Sequence, residues 1–163
     1  MTEPVVPPQS RSVFLPDEAA TERLGAAVAA LLAPRDLVAL SGELGVGKTR
    51  FARAVIAALT GTAEEVPSPT FTLVQTYETP KGTLWHFDLY RLSAPEEAWE
   101  LGLEEALAEG MSLVEWPERL GRLLPAERLD LVLSFAEAPG ARRADLTGRG
   151  RWAGRLSRLA FDA

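Results

Sequence analysis

Apolar positions recur along this chain in two rhythms, and the alternation between them sketches the fold. After a short strand at Ser12–Leu15, Pro16-Asp17 opens a helix with Asp17 as its N-cap. Leu24, Val28, Leu31 and Leu32 then recur at helical spacing until Pro34. Leu37-Val38-Ala39-Leu40 is apolar on both faces, the pattern of a buried parallel strand. Thr49–Leu59 returns to the helical rhythm, with Phe51, Val55, Ile56 and Leu59 on one face and Gly61 as the stop. Phe71–Glu78 and Thr83–Leu89 read as two strands joined at Pro80-Lys81-Gly82, a hairpin signal.

Pro95–Ala108 reads as one helix striped by Trp99, Leu103 and Leu107, followed by the short apolar strand Ser112–Glu115. A short helix at Glu118–Leu124, strands at Leu129–Phe135 and Ala144–Thr147, and a terminal helix at Trp152–Leu159 complete the series. Strands alternating with helices predict an α/β domain of three layers: a mixed, mostly parallel sheet with helices on both faces and an inserted antiparallel hairpin. The 163 residues are expected to form a single domain, with 1–11 as a loose lead-in and 148–163 as an Arg-rich tail.

Composition narrows the chemistry. With no cysteine, thiolate nucleophiles, zinc knuckles and iron–sulfur clusters are excluded. The single histidine, His86, excludes a multi-histidine metal site. The chain has no asparagine, and so no Asn-Lys-x-Asp guanine-reading motif. A net charge of −6 disfavours strong nucleic-acid binding, which draws most of its affinity from phosphate neutralisation. The charge is uneven: glutamates crowd residues 96–109, and six arginines fall between Arg142 and Arg158. No apolar run reaches the length of a membrane span, and the N-terminal residues lack the pattern of a signal peptide, so a cytoplasmic location is expected.

The decisive motif is Gly42-Glu43-Leu44-Gly45-Val46-Gly47-Lys48-Thr49, which fits G-x-x-x-x-G-K-[ST] at every fixed position. Glycines let the backbone N–H groups close around phosphate oxygens. Lys48 brings a point charge to the β- and γ-phosphates, and the Thr49 hydroxyl can ligate Mg²⁺. A buried-type strand precedes the motif and a helix follows it, the context that a phosphate loop needs.

Such a loop requires a carboxylate for the metal at the end of a neighbouring strand. Glu115 and Asp88 both qualify, Glu115 being better placed because its strand is apolar and uninterrupted. Each also has a plainer reading as a salt-bridged or loop-capping strand-end carboxylate. Thr70, behind two prolines, is either a switch-loop hydroxyl that senses Mg²⁺ and the γ-phosphate or a simple turn residue.

Four segments in this order and spacing resemble the TsaE family, also called YjeE. They are Gly42–Thr49, Ser68-Pro69-Thr70-Phe71-Thr72-Leu73-Val74, His86-Phe87-Asp88-Leu89-Tyr90-Arg91-Leu92 and Leu113-Val114-Glu115-Trp116-Pro117-Glu118. The likeness runs from about Leu15 to Thr147. It implies a protein that binds ATP and Mg²⁺, hydrolyses ATP weakly alone, and is required for threonylcarbamoyl modification of the adenosine next to the anticodon in tRNA. It also implies two partners, the transferase TsaD and its paralogue TsaB, on which the family acts between turnovers. The chain would be a monomer alone or part of that heteromeric assembly, with direct tRNA contact left open.

The resemblance also assigns residues. Thr49 and Glu115 match its magnesium positions. Lys48, Asp88 and Thr70 match positions that serve hydrolysis. Glu18, Gly45, Val46, Gly47, Lys48, Thr49, Arg50 and Glu118 match positions at the nucleotide. A C-terminal arginine joins them, assigned to Arg143 with Arg142 as the alternative.

Several features stand outside the resemblance. The tail with Arg149, Arg151, Trp152, Arg155 and Arg158 reads first as a solvated helix packed through Trp152, Leu156 and Leu159, and second as a contact for tRNA or an acidic partner. His86, two residues before Asp88 on the same strand face, is either a base or a packed histidine beside the site, the latter preferred. Trp116 either covers the nucleotide pocket or packs ordinarily. Rival functions are a small-molecule kinase with an arginine lid, a non-hydrolytic ATP-dependent switch, and a phosphate-loop remnant.

Overall fold

Asp17 sets the first helix. Its extended backbone (φ −154°) leaves the helical path, and its carboxylate accepts the Ala20 N–H at 2.8 Å, a cap that contributes about 1 kcal/mol. The computed structural model describes residues 6–62 and 73–161. Helix α1 (Glu18–Leu31) follows the cap and buries Ala20, Leu24 and Val28. Its last carbonyls are answered from far along the chain, since Lys81 Nζ donates to Ala29 O, Ala30 O and Leu32 O at 3.0, 3.1 and 2.9 Å.

The strands are β1 (Gln9–Leu15), β2 (Leu37–Ser41), β3 (Val74–Thr79), β4 (Gly82–Asp88), β5 (Met111–Glu115), β6 (Arg128–Phe135) and β7 (Arg142–Arg149). They form one sheet in the order β1-β7-β6-β2-β5-β4-β3. The four middle strands, β6-β2-β5-β4, pair in parallel. Antiparallel partners close each side, β7 and β1 on one and β3 on the other. The sheet is thus mixed and parallel in the middle, with the inserted hairpin β3–β4 lending its second strand to the parallel part.

Period-two alternation sorts the strand side chains into two cores. Val38, Leu40, Leu84 and Leu113 pack on one face with α1, with α2 (Lys48–Thr60) and with Trp152, Leu156 and Leu159 of the C-terminal segment. Leu37, Ala39, Phe87 and Val114 pack on the other with α3 (Glu97–Glu100), α4 (Leu103–Glu109) and a 3₁₀ segment, Pro117–Leu123. No helix among the described residues is long and apolar enough to cross a membrane.

Three expectations change. Gln9–Arg11 belong to β1 instead of a loose lead-in, because they pair with Leu146–Gly148 of β7. The helix expected over Pro95–Ala108 breaks into α3 and α4 at Gly102. Its φ of +95° leaves the helical region, and a Cβ there would meet the Trp85 ring at 2.6 Å. The expected 148–163 tail is part strand and part packed helix. Gly148 and Arg149 end β7, and α5 (Arg151–Arg155) continues into a short 3₁₀ turn, Leu156–Arg158. Thr70 and the two prolines before it, and Phe71 and Thr72 of the first hairpin strand, lie outside the described residues.

The C-terminal segment is anchored by one buried carboxylate. Asp36, whose side chain has no exposed surface, accepts Arg151 Nε at 3.0 Å, Arg155 Nη1 and the Ala33 N–H at 2.7 Å. Arg155 also lies over the Trp152 ring, 4.7 Å from its centroid. Arg149, Arg151 and Arg155 are therefore ion-paired against the body of the fold, where a solvated helix face was expected, while Trp152, Leu156 and Leu159 pack down as expected. Removing Asp36 leaves Arg155, 13% exposed, as an uncompensated charge. Asp36→Ala is expected to lower unfolding free energy by roughly 3–5 kcal/mol. Urea unfolding would measure this, and a loss under about 1 kcal/mol would rule out the anchoring role.

Candidate functional site: a phosphate loop with a buried carboxylate

The strand order places a crevice at the carboxyl ends of β2, β5 and β4, where open α/β sheets bind ligands. β2 runs out at Ser41 into the loop Gly42–Gly47, and α2 begins at Lys48. The loop lies hard against β6. A Cβ on Gly42 (φ +146°) would stand 2.5 Å from the Leu133 carbonyl oxygen, so no larger residue fits. From the other side Arg142 Nε donates to Val46 O at 2.9 Å, while the Arg142 guanidinium stacks 4.4 Å from the Phe135 ring. The start of α2 then faces the crevice with its unpaired N–H groups and positive dipole end.

The crevice is a cleft of about 240 Å³ lined by Gly45, Gly47, Lys48, Thr49, Arg50, Asp88 and Glu115, with Leu44, Tyr90 and Trp116 at its apolar rim. Asp88 and Glu115 are register partners at the ends of neighbouring parallel strands, and Leu40 is the partner of Glu115 on its other side. Two carboxylates thus stand side by side next to the strand that feeds the loop. Thr49 Oγ1 donates across to Glu115, 2.9 Å from Oε1 and 3.2 Å from Oε2. Asp88 Oδ1 accepts the Tyr90 N–H at 3.2 Å.

Lys48 is 5% exposed. Its Nζ donates to the carbonyls of Gly42 and Glu43 and sits 3.9 Å above the Trp116 ring. Trp116 reaches this place from a left-handed backbone, φ +62°, and its ring meets Tyr90 at 4.9 Å. Burial pulls the Lys48 ammonium below its ordinary value, and the charges of Glu115, Glu118 and Asp88 hold it up in part. The lysine is thus folded back on its own loop, carrying a charge that an incoming phosphate would stabilise.

Of the residues assigned from sequence, Gly45, Gly47, Lys48, Thr49, Arg50, Asp88 and Glu115 gather at the cleft. Val46 is buried behind the loop. Glu18 stands outside the lining, 3.3 Å from Arg50 in an ion pair, and Arg50 also meets Glu22 at 3.1 Å. Glu118 is exposed and reaches the site through its charge on Lys48. Arg143 is not at the loop. Alternation along β7 puts it on the opposite sheet face from Ala144 and Leu146, and Arg142 takes the position beside Val46. Thr70 lies outside the described residues.

Sequence reasoning placed His86 as a packed histidine beside the site, as the structure has it, but did not foresee its contact with Glu115. His86 is fully buried, and its Nε2 is 2.7 Å from Glu115 Oε2. Alternation on β4 put it on the face of Asp88. The pairing of β4 with β5, which brings it to Glu115, has no local sequence signal.

The donor set suits Mg²⁺. Thr49 hydroxyl and Glu115 carboxylate are hard oxygen ligands in contact, with Asp88 adjacent. No group of three or more His, Cys, Asp or Glu side chains forms a metal cage among the described residues. Mg²⁺ commonly takes one or two protein oxygens and fills its shell from phosphates and water.

Known proteins match this chain over most of its length. The family model of "Threonylcarbamoyl adenosine biosynthesis protein TsaE" matches residues 15–144. The chain is 46% identical over 124 residues to the tRNA threonylcarbamoyladenosine biosynthesis protein TsaE of Rickettsia bellii, covering 76% of this chain and 86% of that one. It is 38% identical over 117 residues to the protein of the same name from Bacillus subtilis, covering 71% and 72%. The crystal structure of YdiB from Bacillus subtilis superposes with a TM-score of 0.78 at 29% identity, over 94% of this chain and 96% of that one.

The loop's seat on β6 yields a prediction. Gly42→Ala should destabilise the fold by about 1–3 kcal/mol and weaken nucleotide binding at least ten-fold, since the loop must lift from Leu133. Leu44→Ala in the same loop, at a side chain 72% exposed, should leave stability within about 0.5 kcal/mol. Thermal unfolding and calorimetric nucleotide titration check both, and a Gly42→Ala protein with normal affinity would show that the close seat is not needed.

Proposed function

The chain belongs to the TsaE family, whose role is the biosynthesis of threonylcarbamoyladenosine in tRNA, and on that premise we propose that it serves there as a Mg²⁺-dependent ATPase of the cytoplasm. Weak alone, it acts on a TsaD–TsaB transferase pair so that modification proceeds through repeated turnovers. The observation that carries the ATPase reading is the contact between Thr49 and Glu115 at the mouth of a phosphate loop whose lysine is already drawn into the cleft.

In this reading the N–H groups of Gly45–Thr49 receive the β- and γ-phosphates at the positive end of α2. Lys48 exchanges the Gly42 and Glu43 carbonyls for phosphate oxygens, which relieves its burial with a full charge partner. Thr49 and Glu115 would hold Mg²⁺, the hydroxyl offering a lone pair while its proton, still on Oγ1, is donated to the carboxylate. The metal, when bound, neutralises the charge that builds on the transferring phosphoryl group. Asp88, with Oδ1 held by the Tyr90 N–H, orients the attacking water. Arg142 and Val46 keep the loop seated.

The lining of the cleft supports slow hydrolysis by the isolated chain. Arg50 is the arginine among its lining residues, and it is engaged with Glu18 and Glu22. A partner that supplies or frees a cation at the γ-phosphate would accelerate the reaction. The kinase alternative needs mobile lid arginines, whereas Arg149, Arg151 and Arg155 are tied to Asp130 and Asp36.

The test is multi-turnover tRNA modification reconstituted with the donor-forming enzyme and the transferase pair. Modification past one round is expected only with this protein and hydrolysable ATP together. No difference on adding it would sink the reading. Glu115→Ala is expected to cut Mg²⁺-dependent ATP turnover by about 10²–10³-fold. Wild-type turnover in that variant would overturn the metal assignment.

A further inference from the structure

His86 is a costly residue for its place. It sits on β4 with no exposed surface, and its Nδ1 meets no hydrogen-bond partner among the described residues. A buried polar atom left unpaired costs about 1–3 kcal/mol, so a position chosen for packing alone favours an apolar side chain. What the imidazole provides is its other nitrogen. Nε2 lies 2.7 Å from Glu115 Oε2, in a pair whose side chains are 0% and 3% exposed. Because a carboxylate oxygen accepts, the proton of that bond is on Nε2.

We propose that His86 is the positioning residue for Glu115: its Nε2–H fixes Oε2, so that Oε1 stays with the Thr49 hydroxyl and the pair is set for a divalent cation before one arrives. The inference rests on the Mg²⁺–nucleotide reading given above.

The geometry makes the arrangement rigid. His86 and Glu115 stand on neighbouring parallel strands in fixed register, His86 opposite Leu113 and Asp88 opposite Glu115. Thr49 comes from α2, a separate element. Glu115 is therefore held from two directions, by a strand neighbour on Oε2 and by a helix whose hydroxyl lies nearer Oε1. Without His86 the carboxylate keeps, among the described residues, the Thr49 hydrogen bond alone, and its rotamer is free to follow that hydroxyl. Oxygen-ligand sites lose about 10–100-fold in metal affinity when such supporting hydrogen bonds are removed.

The experiment compares His86→Leu, which removes the donor, with His86→Gln, whose amide N–H reaches about as far as Nε2. Calorimetric ATP titrations at varied Mg²⁺ and in EDTA give two numbers for each protein. The Leu variant is expected to need about 10–100-fold more Mg²⁺ for half-maximal enhancement of ATP affinity, with its EDTA affinity within about two-fold of wild type. The Gln variant is expected to recover to within about three-fold. His86→Asn, polar but too short, should behave like the Leu variant and replaces it if the Leu variant does not fold.

An unchanged Mg²⁺ midpoint in a folded Leu or Asn variant overturns the inference alone. Equal loss of EDTA affinity in the Leu, Asn and Gln variants also overturns it, by assigning His86 to packing. A wild-type protein that binds ATP without any dependence on Mg²⁺ overturns the parent reading and takes this one with it.

Discussion

A carboxylate with almost no exposed surface has to be answered by donors, and Glu115 organises the site through that requirement. It is 2% exposed, and its two oxygens are met by Thr49 from a helix and His86 from a strand. The contacts join α2, β5 and β4 at one point. The start of α2, the end of β5 and the neighbouring Asp88 are held in mutual position because each is tied to this group or stands in register with it. The loop itself is fixed separately, by the seat of Gly42 on Leu133 and the Arg142 bond to Val46. Two independent supports thus meet where phosphate would sit, which is how a rigid scaffold presents a ligand loop.

Much of this was legible in the residues. The P-loop pattern names Lys48 and Thr49 by spacing alone, because its chemistry is local: one turn, one helix start, one side chain each. The helices α1 and α2 and the strands β2, β5 and β6 show in periodicity, since burial on one or two faces leaves a direct trace. Pairing across the sheet leaves none. Asp88 and Glu115 could each be nominated as strand-end carboxylates, yet their register partnership, and the reach of His86 to Glu115, depend on β4 and β5 being neighbours. Strand order is a property of the whole chain and is not written in any window of it.

The misjudged positions have physical causes of the same kind. Arg142 and Arg143 are adjacent in sequence and opposite in space, because β7 begins there and each step along a strand changes face. The expected stripe Trp99–Leu103–Leu107 does not hold, since Trp99 is 44% exposed and Gly102, lying against Trp85 of β4, breaks the helix ahead of Leu103. The terminal arginines look like a charged tail until Asp36, more than a hundred residues earlier, is seen to lie beneath them. In each case a contact distant in sequence outweighs a local preference.

One pairing has a consequence for biosynthesis. β1, the first strand described, joins the sheet only through β7, the last, with Gln9 opposite Gly148 and Leu15 opposite Arg142. Arg11 reaches further, donating to the carbonyls of Leu159 and Phe161 at 2.8 and 2.6 Å. At ribosomal speeds of about 5–20 residues per second, β1 waits on the order of ten seconds for its partner to be synthesised. Over that interval the nascent chain carries an unpaired strand whose Val13 and Leu15 are destined for the core. The phosphate loop and α2 emerge long before β7 does.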